Sequence, residues 1–153
     1  MLLNKPIRTA LYSLVLAASP FASALAGLGG AASSVEADRV SLKGMLRVTS
    51  AATFSVHEIT TAGGLTVHEY LSPGGKVFAV SWRGPGIPDL SQMLGTYYGE
   101  FARAASAPHY DHHHLSVRTA NVMVQSSGHT RSFFGRAWVP SLLPEDFSVE
   151  QIN

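Results

Sequence analysis

From Phe54 to Trp82 the chain alternates short runs of β-branched and aromatic residues with clusters of glycine and proline. The runs predict three consecutive strands, since such side chains suit a pleated, half-buried surface. Ala62-Gly63-Gly64 separates the first two and Ser72-Pro73-Gly74-Gly75 the last two. Glycine supplies positive φ there and proline presets a turn angle. Two copies of Val-His-Glu, at Val56-His57-Glu58 and Val67-His68-Glu69, flank the first turn. A three-residue loop over 62–64 sets Thr61 opposite Leu65, His57 opposite Glu69 and Glu58 opposite His68. A two-residue Gly63-Gly64 turn sets Glu58 against Glu69 instead. Polar or opposite-charge cross-strand pairs help by roughly 0.2–1 kcal/mol and like charges hurt, which favours the longer loop. The third strand, Lys76 to Arg83, carries Phe78, Val80 and Trp82 on one face and Val77 and Ala79 on the other. That is the pattern of a central strand covered on both sides.

Helical periodicity appears twice. Ser33 and Glu36 form a capping-box pattern for a helix over Ser34–Lys43, stopped by Gly44. Its apolar positions Val35, Ala37, Val40 and Leu42 do not share a face. Asp89, with Gln92 three residues on, opens a second helix running to Ala105. Leu90, Met93, Leu94, Tyr97, Tyr98, Phe101, Ala104 and Ala105 form its apolar stripe, and Gln92, Thr96 and Arg103 lie opposite. The Phe78/Val80/Trp82 face is the nearest surface on which that stripe can lie. Ser106 to His114 reads as loop. Leu115 to Gln125 and His129 to Val139 read as two further strands joined around Ser126-Ser127-Gly128, with Val117, Val122, Val124, Phe133, Phe134 and Trp138 in the core. Pro140 and Pro144 end the sheet. The expected fold is α+β: helix, three strands, helix, two strands, with an antiparallel sheet of about five strands and the 89–105 helix packed on one face.

Before this domain comes a different pattern. Lys5 and Arg8 precede an apolar run from Ala10 to Ala18, Pro20 breaks it, and Ala24-Leu25-Ala26 supplies small residues around a cleavage point. This is the form of a secretory signal peptide, and the run falls well short of the ~20 residues of a membrane-spanning helix. Residues 1–26 are therefore expected to be a cleaved leader and 27–153 a single domain, with Gly27–Ala32 a flexible lead-in. The chain has no cysteine, which excludes disulfides and a lipid-modified N-terminus. Removal of Lys5 and Arg8 with the leader turns the net charge from +1 to −1. No basic patch remains for nucleic acid and no basic amphipathic helix for anionic lipid.

A set of short motifs spans the domain: Leu28-Gly29-Gly30, Val67-His68-Glu69-Tyr70-Leu71-Ser72-Pro73, Gly75-Lys76-Val77-Phe78-Ala79-Val80, Trp82, Gly84-Pro85, Pro88-Asp89-Leu90, Gly95 with Tyr97, Ser127-Gly128-His129, Gly135-Arg136-Ala137 and Leu143-Pro144. In these the chain resembles the bacterial secreted family catalogued as domain of unknown function 2844. The resemblance implies export from a Gram-negative cell and carries over no catalytic or binding residue. The His109–His114 loop is not part of the pattern.

That loop holds the most conspicuous chemistry. His109, Asp111, His112, His113 and His114 form a candidate ligand set for Zn²⁺ or Ni²⁺, since neutral imidazole binds both. Adjacent histidines do not by themselves fix a geometry, so a solvated loop that takes up metal adventitiously is the favoured reading, with no resident cofactor. His57-Glu58 and His68-Glu69 lack the second histidine of a zinc-protease helix, because Thr61 and Ser72 stand at the fourth positions. They read as cross-strand pairs. Ser126-Ser127-Gly128-His129 is not a nucleophile elbow; turn chemistry is the preferred account. Trp82, Trp138, Tyr97 and Tyr98 read as core rather than as a platform for glycan or peptide.

No assembled catalytic set emerges, and no catalytic residue is assigned. The leading expectation is a non-catalytic periplasmic or envelope accessory domain that binds an envelope protein or cell-wall component through its sheet or helix. The alternatives are a small periplasmic hydrolase using His129 or His68, and a metal-binding protein using the His109–His114 loop.

Overall fold

The computed structural model describes residues 27–106 and 114–153. The proposed leader and the ligand candidates His109, Asp111, His112 and His113 lie outside the described residues. Helix α1 (Ala32–Leu42) is followed by β1 (Met45–Ser50), β2 (Ser55–Thr60), β3 (Thr66–Leu71) and β4 (Val77–Gly84). Helices α2 (Leu90–Leu94) and α3 (Tyr98–Ala105), joined by a 3-10 turn, carry the chain across. Strands β5 (His114–Arg118), β6 (Met123–His129) and β7 (Ser132–Trp138) then return, and β7 pairs with β4. The result is an antiparallel sheet of seven strands in the order β1-β2-β3-β4-β7-β6-β5.

The α+β class and the antiparallel sheet stand; the five-strand count does not. Strand β1 adds to that count, and all of its residues except the half-buried Leu46 are exposed. Such a strand at the sheet edge shows no apolar alternation to detect. The stretch expected as one strand from Leu115 to Gln125 is a hairpin, turned by Thr119, whose backbone and hydroxyl both bond Val122. No glycine or proline marks that turn. The next turn lies at Thr130-Arg131, with Arg131 at φ 63°, rather than at Ser126-Ser127-Gly128. Gly128 serves close packing: a Cβ there would sit 2.7 Å from the Cα of Phe133.

The first hairpin takes the expected register, His57 opposite Glu69 and Glu58 opposite His68, with the Thr61 N–H donating to the Leu65 carbonyl. The second helix divides at Gly95, whose φ of 52° and ψ of −125° interrupt α-helical geometry. Asp89 caps α2 by accepting from the Ser91 N–H. Gln92 does not complete that cap; its side chain reaches Asp38 and Ser41. In α1, neither Ser33 nor any other side chain caps the start, and Glu36 pairs with Arg39. Lys43 adopts the left-handed conformation, while Gly44 is needed for space, because a Cβ there would lie 2.5 Å from Ile59.

Two cores result. Helices α1–α3 cover one face of the sheet, where Val35, Met93, Leu94 and Phe101 pack on Ile59, Val67, Leu71, Val80, Trp82, Val124 and Ala137. On the other face Phe147 and Ile152, from the segment after Pro140, pack on Tyr70, Phe78 and Ala79. Phe78 was expected beside Val80 and Trp82 under the helix. A register shift at Tyr70/Leu71 pairs Leu71 with Val77 and Tyr70 with Ala79, so Phe78 falls into the second core. Phe134 was expected inside and is 47% exposed. Gly27 to Gly30 is no loose lead-in: Leu28 N–H donates to Met93, Gly29 N–H to Val77, and Val77 N–H to Gly30.

Candidate functional site

The segment after Pro140 covers only part of the second face. Beyond it, over β4, β7, β6 and β5, the sheet is open and forms a groove of about 490 Å³. Strand alternation aims Ser81 and Arg83 from β4, Phe134 and Arg136 from β7, Gln125 and Ser127 from β6, and His114 from β5 toward that side. Ile152 and Asn153 form the wall toward the covered half. The Arg83 guanidinium lies 5.8 Å from the centre of the Phe134 ring, and that of Arg136 lies 5.5 Å from Trp138. Arg136 is held by the Gln125 side chain at 2.9 Å and the Val149 carbonyl at 2.8 Å. His114 Nδ1 meets Ser127 Oγ at 2.7 Å. Among the described residues that line the groove none is acidic. Two guanidiniums, an imidazole and an exposed aromatic ring suit a partner that brings carboxylates.

At the end of the groove His68 is the centre of a polar line. Its Nε2 stands 3.1 Å from Glu58, its Nδ1 2.8 Å from the main-chain oxygen of Asn153 and 3.5 Å from Ser81 Oγ. Ser81 and Tyr70 donate to the same Asn153 oxygen, at 2.7 and 3.2 Å, and Asn153 N–H donates back to Tyr70. The geometry brings a carboxylate, an imidazole and a hydroxyl together, but Ser81 is buried and its hydroxyl is engaged by Asn153. As it stands, the line is a clamp that seats the last residues on the sheet. His129 lies elsewhere, exposed at the end of β6 opposite Ser132. Of the candidate metal ligands only His114 is described, and it faces Ser127. Among the described residues no group of three or more His, Asp or Glu side chains could hold a metal ion.

Under the helices lies a second polar cluster, which the sequence reading missed. Asp38 of α1 and Glu69 of β3 are both fully buried. Asp38 accepts from the Gly27 N–H at 2.8 Å and from the Gln92 side chain. Burial raises the Asp38 pKa, opposed by hydrogen bonds from Gln92, Glu69 and Gly27. Glu69 is pushed up to about 9, first by burial and then by the Asp38 charge and hydrogen bond. As a carboxylate Glu69 meets no hydrogen-bond donor; as a neutral acid it shares its proton with Asp38. The cross-strand account of the two Val-His-Glu copies therefore holds for Glu58 and His68 only. His57 Nδ1 is buried without a partner, and burial lowers the His57 pKa. One signal was present in the sequence: a helix without an apolar stripe, such as 32–42, must bury something polar if it packs at all.

The family model described as protein of unknown function (DUF2844) matches residues 24–152. The chain belongs to this family. No curated protein and no solved structure matches it. The match includes the buried carboxyl pair and every lining residue of the groove except Asn153. Among the described residues, no helix is long and apolar enough to cross a membrane.

Proposed function

We propose that this chain is an exported, non-catalytic accessory domain of the bacterial periplasm or envelope, and that it binds a carboxylate-bearing segment of an envelope protein in the groove over β4, β7, β6 and β5. The observation that carries the reading is the groove itself, with Arg83 and Arg136 set beside exposed Phe134 and no acidic side chain among the described residues that line it. Arg136 is fixed by its bonds to Gln125 and Val149, while Arg83 is exposed and free to meet a partner's charge. Aromatic and arginine side chains are the residue types that dominate binding energy at interfaces. Export is supported by the leader pattern ahead of Gly27.

The test is a photoreactive side chain placed at Phe134 in cells, with a control at Val40 on the exposed side of α1. The reading expects a discrete adduct from position 134 that disappears with Arg83→Glu and is absent from position 40. Equal adducts from both positions, or an adduct indifferent to Arg83→Glu, would count against it. An adduct with cell-wall fragments in place of protein would move the partner to that class.

A hydrolase centred on His68 is the second reading, favoured by the Glu58–His68–Ser81 line. It requires Asn153 to leave Ser81. Ester or peptide hydrolysis by the purified protein that is abolished by Ser81→Ala would support it; unchanged hydrolysis would remove it.

A further inference from the structure

We propose that the Ala26–Gly27 bond is a processing site and that the α-ammonium freed at Gly27 docks as the counter-ion of the buried Asp38–Glu69 pair. The inference rests on the leader reading of Ala24-Leu25-Ala26 and goes beyond it, by giving the new terminus a binding site in the folded domain.

Position 27 is held from several sides. The backbone bonds of Leu28, Gly29 and Gly30 tie the strap to Met93 and Val77. The Gly27 nitrogen then lies 2.8 Å from Asp38 Oδ2 in a buried setting. A Cβ on this residue would fall 2.3 Å from the carbonyl oxygens of Gln92 and Met93. Only glycine fits as the first residue after the cut. The one N–H of an amide at Gly27 goes to Asp38, while Glu69, which interacts with Asp38, keeps two buried oxygens with no donor. An ammonium has three N–H groups and a positive charge, which is what two carboxyls out of water require to ionise together. Hydrolysis by a leader peptidase supplies it. Water adds across the bond, Ala26 leaves with the carboxylate, and the Gly27 amine takes up a proton. The domain is then less stable before the cut than after it.

The experiment uses the exported protein, whose N-terminal mass identifies its first residue, and a form that keeps Ala26 ahead of Gly27, each with Asp38 and with Asp38→Asn. The proposal expects processed material to begin at Gly27 and the Ala26 form to melt about 10 °C lower, as removal of one partner from a buried charge cluster does. Asp38→Asn should erase most of that difference. Should the Ala26 form fail to fold, amine acylation decides. The Gly27 amine in native processed protein should resist labelling that exposed Lys43 and Lys76 accept, and should react in urea. A first residue other than Gly27 overturns the leader reading and this inference together. A start at Gly27 with equal melting temperatures, or with an amine as reactive as an exposed one, overturns this inference alone.

Discussion

Glu69 shows most clearly what a single side chain does in this protein. It stands on β3 opposite His57, yet its carboxyl turns to Asp38 under α1, away from water. Where the Gly27 nitrogen is an amide, as in the form that keeps Ala26, the folded-state pKa of Glu69 is about 9 against an ordinary 4.5. Between those values the folded chain holds a proton that the unfolded chain has lost, so stability falls as pH rises, by up to ~1.4 kcal/mol per pH unit from this group. Glu69→Gln keeps the shape and removes the ionisation. In that form of the protein, melting between pH 5 and 8 should show a decline for Glu69 and a flatter profile for Glu69→Gln. His57, whose pKa burial lowers, works in the opposite sense. It holds fewer protons folded than unfolded, so its contribution to stability rises as pH climbs toward the ordinary imidazole value of about 6.5. Parallel profiles for the two proteins would show that Glu69 does not titrate in this range. The facing of His57 and Glu69 was legible from the turn; the direction of the carboxyl was not, because Asp38 arrives from a helix 31 positions earlier in the chain.

At the scale of elements, the stripe on residues 90–105 carries the helix layer even though Gly95 divides it. Phe101 is buried against the sheet and Thr96 is exposed. Phe101→Asp should therefore cost about 3–4 kcal/mol by burying an unpaired charge. Thr96→Asp should stay within about 0.5 kcal/mol. Urea unfolding of the two variants measures both, and equal midpoints would contradict the packing of this layer. Elements with their own signal were readable in the sequence: β2 and β3 through glycine turns and paired Val-His-Glu, β4 through its continuous apolar run, α2 through Asp89. Those set by their neighbours were not. Strand β1 is defined by pairing with β2, the β5–β6 turn by Thr119, and the fate of Phe78 by a register shift. The cluster of glycine and serine at 126–128 misled because Gly128 answers a close approach to Phe133 instead of a turn.

In the whole molecule, one sheet has three kinds of surface: a face under helices, half a face under the segment after Pro140, and an open half with the groove. The candidate site follows from that uneven cover. It was not legible because Arg83, Gln125, Phe134 and Arg136 come from strands whose order only the fold establishes. The reading of the groove as a seat for carboxylates is tested most directly by titrating the purified protein with an oligo-glutamate peptide and following the fluorescence of Trp138, next to Arg136. The account predicts saturable binding that weakens with added salt and drops at least about tenfold in Arg83→Glu, since a guanidinium–carboxylate contact becomes a repulsion. Arg103→Glu, on the helix side, should bind like wild type. Binding equally reduced in both variants, or indifferent to Arg83→Glu, would contradict it.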